Sequence, residues 1–109
     1  MQKEKTEITL LLDYYGEFLT DKQRELLEMS ADEDMSLSEI AEVEGVTRQG
    51  VRAAIINASK KLSGFEEKLG LIEKDRTLRS LLDELVSANS TGDASGVKNA
   101  ADKIRSVIG

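Results

Sequence analysis

A chain of 109 residues that is 39% hydrophobic, 33% charged and only 4% aromatic has material for one compact domain with a modest aliphatic core. It contains no Cys and no His, which excludes disulfides, thiol or imidazole catalysis, and thiolate or imidazole metal sites. The net charge of −6 argues against a non-specific nucleic-acid binder.

Pro is absent, and Leu, Ala, Glu and Lys recur in short stripes of period 3.6, which predicts an all-α fold. In "TEITLLLDYYGEF", residues 6–18, the apolar positions Ile8, Leu11, Leu12, Tyr15 and Phe18 predict a first helix that starts near Thr6 and ends near Gly16. Thr20 is placed to cap the next helix, "LTDKQRELLEM", by accepting a hydrogen bond from an orphan N–H of its first turn. Leu26, Leu27 and Met29 supply its buried side. The polar, acidic "SADEDM" reads as a loop.

"SLSEIAEVE" opens on Ser36 followed by Glu39, the S-x-x-E spacing of a capping box. Leu37, Ile40 and Ala41 then share a face, Gly45 supplies a turn, and Thr47 caps a helix running to about Lys61 or Leu62. "SGFEEKLGLIEKDRTLRSLLDELVSA" is helical in pattern but interrupted at Gly64 and Gly70. Its two stripes, Leu62, Phe65, Leu69 and Ile72, then Leu71, Leu78, Leu82 and Leu85, are offset and predict two helices or a bend. The turn-rich "NSTGDASG", residues 89–96, reads as a linker. A short amphipathic terminal helix is predicted over 97–109. The expected organisation is a helix-turn-helix domain with its following helices over 1–88, the linker, and that C-terminal helix.

Residues 36–62 have the form of a helix-turn-helix, two short helices around a tight Gly turn, with the second helix the one that enters a major groove. Ala41 is small where the second helix crosses it, and Val46 and Val51 are expected to plug the space between the helices. At 100° per residue, Val51, Ala54, Ile55, Ala58 and Leu62 point inward. Arg48, Gln49, Arg52, Ala53, Ile56, Ser59 and Lys60 lie roughly opposite. Arg and Gln at a helix start reach base edges, and Arg and Lys further along hold phosphates. The candidate nucleic-acid-binding residues are therefore Arg48, Gln49, Arg52 and Lys60.

Charge supports the same stretch. Residues 47–62 carry four basic residues and no acid, and subtracting that +4 from −6 leaves −10 on the remainder. Gly50 is an oddity, since Gly in a helix interior costs about 1 kcal/mol relative to Ala. Either another backbone, of protein or nucleic acid, comes close there or the first turn is loosely formed. Ile56, on the exposed face, suits a thymine methyl, a protein partner, or simply solvent.

"DYYGEFLTDKQRELLEM", "SLSEIAEVEGVTRQGV" and "FEEKLGLIEK" together resemble the YlxM family of small bacterial helix-turn-helix proteins, over roughly residues 8–75. The pieces that carry the resemblance are Asp13-Tyr14-Tyr15, Leu19-Thr20 with Lys22-Gln23-Arg24, Ser36-Leu37 with Glu39-Ile40-Ala41-Glu42, and Val46-Thr47-Arg48-Gln49 with Val51. The motif also resembles the promoter-reading region 4 of sigma factors. The implied fold is a sigma region 4-like helix-turn-helix, winged-helix-superfamily-like without a wing, with a C-terminal helical extension. The family usually has Ala at Gly50, and an aromatic followed by an acid at Arg52 and Ala53. Through the neighbourhood of its genes the family is associated with the signal recognition particle, so the resemblance implies a regulatory role in that pathway.

Two functions follow as expectations. One is a regulatory protein that binds DNA or structured RNA. The other is a protein–protein regulator whose acidic surface meets a signal recognition particle component without direct nucleic-acid readout. An enzyme is not expected: the acid pairs Asp32–Asp34 and Glu66–Glu67 sit in charge-rich stretches without a nucleophile or base. No cofactor, metal or membrane attachment is expected, and no run is apolar enough to span a bilayer, so a cytoplasmic protein is the expectation. The leucines following the motif predict a homodimer through residues 62–86.

Overall fold

The computed structural model describes the backbone of residues 2–109 and the side chains of residues 7–109. Among the described residues the regular structure is helical: α1 (Gln2–Tyr15), α2 (Asp21–Leu27), α3 (Leu37–Glu44), α4 (Arg48–Leu69), α5 (Leu71–Ser90) and α6 (Ala94–Ile108). The expected start of the first helix near Thr6 falls inside α1. The chain divides into two compact units at residues 69 and 70, so the boundary expected after residue 88 falls within α5.

In the first unit, α4 packs against α1, α2 and α3. Its core consists of Leu12, Tyr15, Leu19, Leu26, Leu27, Ile40, Ala41, Val51, Ala58 and Leu62, all buried. Leu26, Ile40, Ala41 and Val51 form one cluster, edged by Met29, Met35, Leu37, Ala54 and Ile55. Aliphatic side chains supply most of this core; the aromatic part is a chain of tilted rings, Tyr14 to Tyr15, Tyr15 to Phe65, and Phe65 to Phe18.

Caps define the helix starts as expected. Thr20 Oγ1 accepts from Gln23 N at 3.2 Å while the Gln23 side chain accepts from Thr20 N at 3.1 Å. Ser36 and Glu39 form the same reciprocal box, at 3.1 and 2.9 Å. Each box satisfies two donors that the helix geometry leaves without partners.

Two expectations change in the first unit. Only the second half of the acidic stretch after α2 is a loop: Glu28–Asp32 form a π-helical turn, Asp32 Oδ1 accepts from the Thr9 hydroxyl at 3.2 Å, which ties the turn to α1, and residues 33–36 are irregular. The backbone is released only at Asp34, whose φ is +56°. Gly64 does not interrupt α4, which continues to Leu69; an isolated Gly costs only about 1 kcal/mol, and α4 is held by packing on three other helices. The break comes at Gly70, where φ is +62°, a conformation Cβ disfavours.

The second unit is a hairpin of α5 and α6. Of the residues 89–96 read as a linker, only 91–93 lie outside the helices. Asp93 absorbs the rest, because its Oδ1 accepts from Gly96 N at 2.9 Å and starts α6 three residues early. The two helices approach closely at Gly96: a Cβ there would lie 2.9 Å from Ala88 Cβ. Ala100 is buried, and Val97, Ala101, Ile104 and Val107 are half-buried.

Candidate nucleic-acid interface

The turn between α3 and α4 is held by its backbone. Gly45 adopts φ +66° and ψ 31° as the C-cap of α3, and Val46 N donates to Ala41 O at 3.1 Å. The chain reverses, and Thr47 begins α4: its carbonyl accepts from Val51 N at 3.0 Å, and its hydroxyl accepts from Gly50 N at 3.0 Å. Ala41 and Val51 are buried where α3 and α4 cross. Val46 is not a plug. It is 54% exposed, because the left-handed residue before it swings its side chain out of the crossing.

The first turn of α4 is well formed around Gly50. It is not loose, since Thr47 satisfies it from both its carbonyl and its hydroxyl. Nor does another backbone come close among the described residues. A Cβ at Gly50 would instead sit 3.1 Å from Thr47 Oγ1, so the capping hydroxyl is what occupies the space beside it.

Burial along α4 follows the projection. Val51, Ala58 and Leu62 are buried, and Ala54 and Ile55 are half-buried. The opposite side carries the four candidate residues, and Arg48, Gln49, Arg52 and Lys60 are all exposed. Arg48, Arg52, Ile56 and Lys60 follow one another at intervals of four, which makes a stripe about 18 Å long at 1.5 Å per residue. Gln49 lies beside it. Ser59 departs from expectation by being half-buried.

Several acidic groups of this unit are engaged elsewhere, while Glu67, on the groove that Ile56 and Lys60 line, is exposed. Glu44, the last residue of α3, is largely covered and paired with Lys22 of α2. That hydrogen bond holds the Lys22 ammonium above its ordinary pKa, and it removes the uncompensated carboxylate closest in sequence to Arg48. Glu66 accepts the Tyr15 hydroxyl and Asp32 accepts the Thr9 hydroxyl, so one member of each acid pair holds helices together. No group of three or more Asp, Glu, His or Cys side chains is arranged to bind a metal among the described residues. No helix there is long and apolar enough to cross a membrane.

Ile56, 39% exposed, is not an isolated apolar side chain. It borders a shallow groove of about 430 Å³ whose walls include Ile8, Ile55, Ser59, Lys60 and Ser63. Ile8 comes from α1, and no local pattern could have placed it beside the stripe. The periodicity of α4 did hold a signal for Ser63, which continues the Arg52, Ile56, Ser59 side of the helix.

Residues 2–102 match a protein family described as "Putative helix-turn-helix protein, YlxM / p13 like". A UPF0122 protein of Symbiobacterium thermophilum is 38% identical over 103 residues, covering 94% of this chain and 96% of the relative. One of Clostridium perfringens is 35% identical over 109 residues, 97% of each chain. One of Thermoanaerobacter sp. is 46% identical over 78 residues, 72% of this chain and 67% of the relative. The chain belongs to the YlxM / p13-like helix-turn-helix family.

Proposed function

We propose that this member of the YlxM / p13-like family is a nucleic-acid-binding regulatory protein that lays the first half of α4 into a groove of DNA or structured RNA. One observation carries the reading. Arg48, Gln49, Arg52 and Lys60 are exposed on one side of a helix whose other side is locked by Val51, Ala58 and Leu62, and none of the four side chains has a hydrogen-bond or ion-pair partner among the described residues. A guanidinium kept free of local carboxylates and presented from a rigid helix is preorganised for phosphates and for guanine edges. Arg48 and Gln49 stand at the helix start, where base edges are reached, and Lys60 stands where a phosphate would pass.

The resemblance's association with the signal recognition particle supports a role in that pathway as part of the same proposal. Two copies, joined within residues 62–86, would present two such helices to half-sites a helical turn apart. A second reading has its own support: a protein–protein regulator that docks a basic partner. Beside α4, Leu26, Val46, Val51 and Ala54 line an apolar groove of about 310 Å³, edged by Lys22 and Glu44, on a chain that is acidic outside residues 47–62.

Titration with duplex DNA and with a signal-recognition RNA at two salt concentrations tests the proposal. Phosphate binding weakens steeply with salt, by a slope of about 0.9 per neutralised phosphate on duplex DNA. Arg48→Ala with Arg52→Ala should abolish binding. Unchanged binding in that variant would remove the nucleic-acid reading and leave the protein-docking one.

A further inference from the structure

Within the second unit, α6 leaves part of α5 uncovered. On α5, Leu82 is 53% exposed and Val86 55%, and Leu78 before them is half-buried. At 100° per residue these three lie within an arc of about 80° along the second half of the helix. The hairpin partner does not cover them: α6 meets α5 on the side of Ala88, where Gly96 approaches it, about a third of a turn away.

The polar residues flanking this stripe are arranged in a particular order. On the side away from Ala88 stand Arg76, Arg79 and Asp83, all exposed. Arg79 and Asp83 are four apart and able to bridge within the helix, yet none of the three has an ion-pair partner among the described residues. Two cations thus precede one anion along the same edge. The unit holds six acidic and six basic residues, while the first unit holds the whole net charge of −6. Nothing in the second unit's overall charge resists its meeting a copy of itself.

We infer that α5 is a self-association face on which two copies of the chain pack antiparallel, Leu78 and Leu82 at the centre. A two-fold axis across the helices keeps the same flank of each copy facing the other and reverses the direction. Centring it near Ser80 brings Leu78 level with the partner's Leu82. It also brings Asp83 level with the gap between the partner's Arg76 and the partner's Arg79, and the same contact forms again on the other side of the axis. A parallel two-fold arrangement would place these three residues on opposite edges of the pair, where this contact does not form. The antiparallel one also opposes the helix dipoles. This inference rests on the two-copy reading above and supplies its face, its direction and its charge pairs.

Sedimentation equilibrium of the full chain tests it. The unmodified protein should be dimeric at tens of micromolar. Asp83→Arg alone, and Arg76→Glu with Arg79→Glu alone, should each dissociate at least about tenfold more readily, because like charges are then juxtaposed twice. An equimolar mixture of the two variants should recover the original affinity as a heterodimer, since each new charge then meets its opposite. Leu82→Glu should be monomeric and should not be rescued by mixing. All variants should keep their helical circular dichroism, because the changed side chains are exposed. An unmodified protein that stays monomeric overturns the two-copy reading and this face together. A dimer that ignores the charge variants, or a mixture that fails to recover, overturns the antiparallel α5 pairing alone. Duplex binding through Arg48 and Arg52 is measured separately: a monomer should bind far more weakly because it reaches one half-site, but binding that survives in the monomer still requires the two arginines.

Discussion

The hydroxyl of Tyr15 in α1 donates a hydrogen bond to Glu66 in α4, 51 residues further along the chain. Tyr15 is fully buried, and its ring also faces Phe65 at 6.0 Å, so one side chain fastens α1 to the second half of α4 by both packing and polarity. A hydrogen bond to a charged group contributes about 1.5–3 kcal/mol when its removal leaves the other partner poorly solvated. Tyr15→Phe keeps the ring and removes the donor. Thermal unfolding should show a loss of about 1–3 kcal/mol; a midpoint within a degree of the unmodified protein would mean that Glu66 finds equivalent solvation without the phenol.

Two glycines inside helices should respond to Ala in opposite directions. At Gly50 the new Cβ meets only the Thr47 hydroxyl, at 3.1 Å, on an exposed side chain able to shift by a few tenths of an ångström. The gain in helix propensity of up to about 1 kcal/mol should prevail, and Gly50→Ala should raise the midpoint. At Gly96 the new Cβ meets Ala88 Cβ at 2.9 Å and the Asp93 carboxylate at 2.5 Å, so the hairpin or the cap must yield. Gly96→Ala should lower stability by about 1–3 kcal/mol, the usual cost of overpacking. Urea melts of both variants decide it, and the same sign for the two would refute the packing argument.

The capping box at the start of α3 should be visible in acid. The Ser36 backbone and hydroxyl hydrogen bonds hold the Glu39 carboxyl below its ordinary pKa. A carboxylate whose pKa is depressed on folding stabilises the folded chain above its unfolded pKa, about 4.3, and that contribution disappears as pH falls through the lower folded value. Glu39→Gln keeps an acceptor for Ser36 N but no longer titrates. The difference in midpoint between unmodified protein and variant should therefore be constant above about pH 5 and should change below about pH 4. Parallel curves down to pH 2.5 would show that the carboxyl does not titrate with folding.

Arg48 and Arg52 should be dispensable for folding. Both are exposed and unpartnered among the described residues, so the double Ala variant should melt within about 0.5 kcal/mol of the original, as surface changes do. Lys60→Ala should weaken duplex binding modestly and reduce the salt slope by about one phosphate's worth. A large loss of stability in the double variant would place the two arginines in the structural framework instead.

How far the fold was legible from local pattern depends on the kind of interaction involved. Caps, turn glycines and faces act over three or four residues. Thr20, Ser36 and Thr47 as helix starts, Gly45 and Gly70 as stops, and the division of α4 into a buried and an exposed side were therefore all readable from spacing. The same spacing was misleading where a helix is carried past a weak residue by contacts from elsewhere: Gly64 inside α4, the acidic turn at Glu28–Asp32 anchored by Thr9, and the start of α6 at Ala94.

The sequence by itself determined the all-α class, the helix-turn-helix over residues 36–62, the family, and the exposure of Arg48, Gln49, Arg52 and Lys60 on α4. These depend on periodicity and on residue chemistry, both local. Only the tertiary structure decided which distant groups meet. It paired Tyr15 with Glu66 and Lys22 with Glu44, set Ile8 beside Ile56, turned Val46 to solvent, and brought Gly96 against Ala88 while leaving Leu82 bare. Such meetings are set by how whole helices pack, because a helix buries whichever of its sides the other helices reach, and no single stretch of sequence records where those helices lie.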